Sequence, residues 1–295
     1  MPLSRRPATA DADHDENSLL HAGGRASGWG NLGLWPAVDY ASACEALADR
    51  VAQAVGPLRG ARVLSPGSGR GAELWRWTSR HGAAQAVGLD PAATGTPDRR
   101  RPARHVQPRV LTLQADARHM TEAAGGGFDR VLCVDAAYHV APRDHWLRQA
   151  HQALRPGGRL AFTDLTLAPS GPRLQATRLL LAGPARAAGI AVGQLLPASA
   201  AVERLRRAGF DEVRVEVLDE AVLDGFVRFV RAQSRRLGRR ATGPGWRRVA
   251  ATARLIPLAR RLGLGYALFA ARAGSPDEAS ATPAEPAPAN AAGAG

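Results

Sequence analysis

Residues 63–71 read Val63-Leu64-Ser65-Pro66-Gly67-Ser68-Gly69-Arg70-Gly71, and few folds accommodate such a run. The apolar stretch 61–64 predicts a buried strand. Three glycines follow at alternate positions, and residues 72–80 predict a helix closed by Gly82. Glycine lets a chain turn sharply and approach a ligand with no Cβ in the way. The helix start behind the turn offers free N–H donors. Strand, glycine turn and helix start together make a nucleotide cradle. A second apolar run, 86–89, ends in Asp90, about 20 residues beyond the turn. A carboxylate at that strand end can accept both hydroxyls of a ribose. The dinucleotide fingerprint spaces its glycines G-x-G-x-x-G. Here the spacing is Gly67-x-Gly69-x-Gly71, which argues against a nicotinamide dehydrogenase.

Further strands are predicted at 110–113, 131–134, 160–163 and 213–217, and helices at 40–55, 144–154 and 199–209. This rhythm predicts an α/β fold, a doubly wound parallel sheet with ligands at the carboxyl ends of its strands. Asp90, Asp116 and Asp135 all stand at strand ends and are read as one site. Asp116 either accepts an adenine amino group or caps the turn after it. Asp144 is read as the cap of the next helix. Prolines 91, 97, 102 and 108 predict a short or broken element, with Arg99-Arg100-Arg101 on a solvated face. Residues 165–197 interrupt the rhythm and are read as a cap over the site, the alternative being a hydrophobic loop on the sheet edge. Residues 221–237 and 246–261 are basic and amphipathic, the second broken at Pro257. Such helices keep one face on the core and also suit peripheral contact with a membrane. Residues 266–271 fit a final antiparallel edge strand.

The formal net charge is +13, and every basic residue is arginine, a pattern that a GC-rich coding bias explains as well as a partner does. Nucleic-acid surfaces interleave basic with aromatic residues, and aromatics are only 5% of this chain. The composition therefore argues against a nucleic-acid substrate. Cys44 and Cys133 read as core thiols, not a disulfide or a zinc pair, consistent with the cytoplasm. No apolar run reaches membrane-spanning length, and none follows Arg5-Arg6 as in a secretory signal. Residues 1–27 and 273–295 lack core residues and are expected to be disordered, which leaves one domain over 28–272.

With these pieces in order, the chain resembles the class I S-adenosylmethionine-dependent methyltransferases over roughly residues 28–271. The resemblance rests on the glycine loop, Asp90, Gln114-Ala115-Asp116-Ala117, and Phe128-Asp129-Arg130-Val131-Leu132-Cys133-Val134-Asp135. It rests also on Leu154-Arg155-Pro156-Gly157-Gly158-Arg159-Leu160. Asn31-Leu32-Gly33-Leu34-Trp35 and Ala136-Ala137-Tyr138-His139-Val140 are similar to a bacterial small-molecule group that includes sarcosine/dimethylglycine-type and natural-product enzymes. The resemblance implies a seven-stranded sheet with a reversed last strand and a small helical cap. It implies S-adenosylmethionine as cofactor and S-adenosylhomocysteine as product. The implied cofactor residues are Ser65, Gly67, Ser68, Gly69, Gly71, Asp90, Pro91, Asp116, Ala117 and Asp135. Trp35 joins them, with Tyr40, as a residue of a segment that closes over the cofactor. The chain departs from the family at Ser65, where an acid usually helps hold the methionine ammonium group. Pro66 also removes a backbone donor. Either Glu73 or another acid supplies the charge, or the chain is a degenerate relative that binds without turnover.

Methyl transfer from a sulfonium is an in-line displacement, so the protein must align the acceptor and exclude water. A hydroxyl acceptor gains from a base. His139, just after the central strand, is the candidate base, and Tyr138 beside it is placed to orient the acceptor. No metal-ligand spacing is present. The expected function is methyl transfer to a hydroxyl or amine of a small, fairly apolar molecule, natural-product or lipid-like.

Overall fold

The computed structural model describes residues 28–92, 109–168, 172–238 and 244–274. The expectations for 1–27, for the arginine triplet and for the tail beyond 274 lie outside the described residues. Helix α1 (Tyr40–Ala54) is followed by β1 (Arg62–Pro66), α2 (Ala72–Ser79), β2 (Gln85–Asp90) and β3 (Arg109–Gln114). Then come α3 (Met120–Ala124), β4 (Phe128–Cys133), α4 (Arg143–Ala153), β5 (Leu154–Leu167) and α5 (Pro172–Ala187). The chain continues through α6 (Ala198–Arg207), β6 (Phe210–Val217), α7 (Gly225–Leu237), α8 (Pro244–Arg261) and β7 (Leu264–Ala273). Short helical turns span Ala117–His119, Ala137–His139 and Val192–Gln194.

The strands form one sheet in the order β3-β2-β1-β4-β5-β7-β6. Strands β1 to β5 run parallel, and β7 runs antiparallel to both its neighbours. The chain reverses its direction of travel across the sheet between β1 and β4, and such a switch point opens a crevice at the strand ends. One apolar layer packs α1, α2, α7 and α8 on one face of the sheet, through Leu47, Trp77, Phe226 and Trp246. The other packs α3, α4 and α6, through Met120, Trp146 and Leu205. Cys44 and Cys133 are free and buried in these layers, as core thiols should be.

The reversed last strand is present, but it is not an edge. β7 is buried along most of its length and sits between β5 and β6. Its near-continuous apolar run suits a strand covered on both faces. β6, FDEVRVEV, carries the alternating polar side chains that suit an edge. Pro142, not Asp144, occupies the N-cap position of α4, where proline costs no intrahelical hydrogen bond. Asp144 lies in the first turn, 3.5 Å from Arg204. Pro257 lies inside α8 without ending it. The break expected from 165 is later, since Leu165 and Leu167 belong to β5 and are covered by the core.

A π-helical turn, Glu220–Asp224, leads into α7. It brings Gly225 against Trp35, where a Cβ would lie 2.4 Å from the Trp35 Cβ. Gly225 has ordinary helical backbone angles, so the constraint is space alone. Gly225→Ala is expected to cost about 1–3 kcal/mol by overpacking. Gly183→Ala in α5, where nothing lies within 4 Å, should instead stabilise by roughly 0.5–1 kcal/mol. Urea unfolding of the two variants checks the contrast, and equal effects would refute the steric account.

Candidate functional site

The glycine turn takes its shape from three left-handed residues, with φ of 80° at Gly67, 53° at Gly69 and 76° at Gly71. The Gly67 and Ser68 amides both donate to the Leu89 carbonyl, at 2.7 and 3.0 Å, which ties the turn to the end of β2. A Cβ on Gly67 would fall 2.4 Å from the Ala136 Cβ, so no side chain fits where the turn crosses the end of β4. Asp90 braces the same turn. One oxygen accepts from the Gly69 amide and the other from the Ala92 amide, each at 2.9 Å. A carboxylate oxygen has two acceptor positions, so each still has one to offer a ligand.

A cleft of about 1230 Å³ opens over these strand ends. Of the sequence-predicted residues, Gly67, Ser68, Gly69, Asp90, Pro91, Asp116, Ala117, Asp135 and His139 line it. Ser65, Gly71, Trp35 and Tyr138 do not. Gly71 ends the turn as the N-cap of α2. Trp35 stacks on Phe229 with ring centres 4.6 Å apart, and its indole N–H donates to the Leu32 carbonyl at 2.9 Å. It is a strut that fixes the preceding segment to α7, not a cover on the cleft. Tyr40 does reach the cleft, and its hydroxyl donates to the Asn31 carbonyl at 2.7 Å.

Asp116 takes the capping alternative. It accepts from the Arg118 amide at 2.8 Å and from the Arg118 guanidinium at 2.7 Å. Those bonds hold its carboxyl below the usual carboxylate range. Sequence reading missed this grip because two residues of opposite charge so close along the chain are unremarkable until a turn folds one onto the other.

Asp135 is the most constrained of the three acids. It is left-handed, with φ of 54°, a conformation uncommon outside glycine. Its own amide donates to the Thr163 hydroxyl at 2.8 Å. One carboxylate oxygen accepts from the Leu32 amide at 2.5 Å, and the other accepts from the Tyr266 hydroxyl. Burial pushes its pKa up, against the pull of these donors. Tyr266 was not foreseen, because nothing in the sequence ties a tyrosine on the last strand to an acid 131 residues earlier.

His139 ends the turn after β4, and its ring is open to the cleft. Its Nδ1 lies 2.9 Å from the carbonyl oxygen of Gly189, just past α5. A carbonyl only accepts, so Nδ1 carries the proton, and in the neutral ring Nε2 is left as the proton acceptor. Tyr138 packs against that ring at 4.5 Å between centres while its own side chain is buried. It does not line the cleft, so it supports the site from behind and does not face an acceptor.

Where the family resemblance implied an acid, Ser65 is buried at the end of β1, and its hydroxyl lies 3.4 Å from a carboxyl oxygen of Glu73. Glu73, in the first turn of α2, lines the cleft. The α2 backbone thus brings an acid to the place that β1 leaves neutral. Among the described residues, no group that could hold a metal is present.

A profile for the methyltransferase domain matches residues 40–215. The chain belongs to the methyltransferase-domain family. It is similar to erythromycin 3''-O-methyltransferase of Saccharopolyspora erythraea, at 31% identity over 205 residues, 66% of this chain and 65% of that one. That match covers slightly less than two thirds of the relative's own length. Among solved structures, a proposed sarcosine dimethylglycine methyltransferase from Galdieria sulphuraria superposes with a TM-score of 0.68 at 14% identity, over 90% of this chain and 98% of that one. The cyclase SpnF superposes with a TM-score of 0.62 at 20% identity, over 93% and 98%. These two similarities establish the fold. Among the described residues no helix is long and apolar enough to cross a membrane.

Burial raises the Glu73 carboxyl to about 8, and its bonds to its own amide and to Ser65 only partly offset this. An acid whose folded value lies above its unfolded one stabilises the fold fully below the unfolded value. That contribution is lost as pH rises through the folded value. Stability should therefore fall between about pH 4.5 and pH 8 by an amount on the order of a few kcal/mol. Glu73→Gln should flatten that part of the curve of urea midpoint against pH. An unchanged slope in the variant would refute the assignment.

Proposed function

We propose that the chain binds S-adenosylmethionine across its glycine turn and methylates a hydroxyl group of a small natural-product-like molecule. His139 carries the reading. It stands at the end of the central strand with Nδ1 occupied by the Gly189 carbonyl, and it offers Nε2 to the cleft. An amine with its own lone pair needs no base before it attacks, whereas a hydroxyl gains from one. A tautomer fixed for proton acceptance therefore favours the hydroxyl. The naming of the relative in Saccharopolyspora erythraea as a 3''-O-methyltransferase supports the same choice.

The residues present fit the cofactor. Asp90 keeps one acceptor position on each oxygen while its other bonds hold the carboxylate still, as two ribose hydroxyls require. Pro91 and Ala117 flank the turn beside it with small apolar surface. Glu73 takes the role of the acid missing at Ser65 and faces the ammonium of the methionine end. A cation there would favour its ionised form. When bound, S-adenosylmethionine supplies a methyl group activated by a positive sulfur. The chain's own residues seat the acceptor, exclude water and take its proton at His139 Nε2. The segment around Asn31 and Leu32, held by Asp135 and Tyr40, forms one wall of the water-excluding site.

The rival reading is a scaffold that binds without turnover, and it rests on Ser65. The contact between Ser65 and Glu73 weakens it, since the acid is displaced and not lost.

Calorimetric titration with S-adenosylmethionine and S-adenosylhomocysteine tests the cofactor site. Asp90→Ala should weaken binding tenfold or more, about 1.4 kcal/mol. Failure of the unmodified chain to bind either ligand would sink the reading. With an accepted hydroxyl substrate, His139→Ala should lower kcat roughly 10²–10⁴-fold while leaving cofactor affinity unchanged. Unchanged kcat would remove His139 as the base.

A further inference from the structure

The cleft is larger than the cofactor reading uses. Pockets for a single small molecule run to about 1,000 Å³ at the upper end, and this one holds about 1230 Å³. Its two ends differ in chemistry. The end at the glycine turn carries Glu73, Asp90, Asp116, Arg118 and Asp135. The other end lies between α5 and α8. Leu181 and Pro184 on α5 and Ala188 just past its end face it, with Val249, Leu255 and Ile256 on α8. Ile190, Val192 and Leu195 continue that wall beyond α5. Among the described residues, α5 and α8 bring no carboxylate to this arm; Arg248 is the cation that α8 places there, and Phe226 of α7 also lines the cleft.

The apolar lining continues onto the surface. Leu180 is 65% exposed and lies one turn before Pro184 on α5. Leu258 is 55% exposed and lies three residues after Leu255 on α8. Residues three and four apart share a helix face, so each exposed leucine borders a lining row. Large exposed leucines on both helices that frame one opening mark a surface that a ligand covers. His139 stands where the two ends meet, and the Gly189 carbonyl that orients it belongs to the same wall as Ile190.

We infer that the arm between α5 and α8 seats a bulky, uncharged aliphatic body of the acceptor, whose hydroxyl then reaches His139. This deepens the methyl-transfer reading above and rests on it for the identity of the reacting group. The lining decides the chemistry. An aliphatic body gains from every wall of Leu, Ile, Val and Ala that it covers, roughly in proportion to the apolar area removed from water. A cation in the arm would lose hydration with no carboxylate on the walls to replace it. A flat aromatic ring would meet only aliphatic side chains and an arginine on the described α5 and α8 faces of the arm.

The test uses probes in place of the unidentified acceptor, measured on the full chain by calorimetry with and without S-adenosylhomocysteine. The probes are octyl glucoside below its micelle concentration, phenyl glucoside, and an octyl ammonium salt of equal chain length. Octyl glucoside should bind at least tenfold more tightly than either of the others. Ala188→Trp just past α5 and Ala251→Trp on α8 both add bulk to the arm from exposed positions. Each should weaken octyl glucoside tenfold or more and leave S-adenosylhomocysteine affinity unchanged. Two results would overturn the inference. One is equal or tighter binding of the aromatic or cationic probe. The other is octyl glucoside affinity that survives both tryptophan variants. Co-sedimentation with lipid vesicles that is abolished by Leu180→Asp, with probe affinity intact, would assign the exposed leucines to a membrane surface and would likewise overturn it. If the unmodified chain fails to bind S-adenosylhomocysteine while the probe pattern holds, the methyl-donor reading falls and the aliphatic arm stands.

Discussion

The part-buried carboxylate of Asp135 ties three separate parts of the chain to the end of β4. Its backbone is bonded to β5 through Thr163, one oxygen to the segment before α1 through Leu32, and the other to β7 through Tyr266. A buried acid is costly unless its acceptor positions are filled. Here each oxygen accepts one donor from a distant stretch, so each stretch is held at a set distance from the end of β4. The left-handed backbone at Asp135 turns the chain at this point into the turn that carries Tyr138 and His139. The wall formed by Asn31 and Leu32, the reversed strand and the base are thus placed by a single residue.

The cofactor end is organised on a different plan. Asp90 and the Leu89 carbonyl hold the glycine turn by backbone bonds, and the absence of a Cβ on Gly67 lets the turn lie against Ala136. On the proposed reading, the acid that a methyltransferase usually carries on the first strand is supplied by Glu73 on the helix after it. Glu73 on α2 keeps an acid at the cleft, and burial there holds its carboxyl well above the usual carboxylate range.

Local patterns in the sequence were legible where local chemistry decides the outcome. The glycine spacing, the strand-end acids and the alternation of strand and helix all report short-range constraints, and the sheet follows from them. Other features required contacts that sequence does not display. Trp35 stands in an aromatic segment that reads as a lid, and only the π-helical turn before α7 shows that Gly225 makes a slot for it in the core. Asp116 at a strand end reads as a ligand for a base, and the turn of chain that folds Arg118 back onto it is invisible in one dimension. β7 was legible as a strand and as reversed. Its inner position depends on comparing its burial with that of β6, whose polar alternation is the clearer edge signal.

The bond between His139 and the Gly189 carbonyl links two properties that are usually discussed apart. The ring that would take the acceptor's proton is oriented by the same stretch of chain that shapes the space for the acceptor's body. Acceptor choice and base geometry are then inherited as one piece. A replacement of residues 172–196 by the corresponding stretch of a relative would change both, and a chimera whose backbone aimed no carbonyl at the ring would gain a differently shaped chamber with an unsteered imidazole.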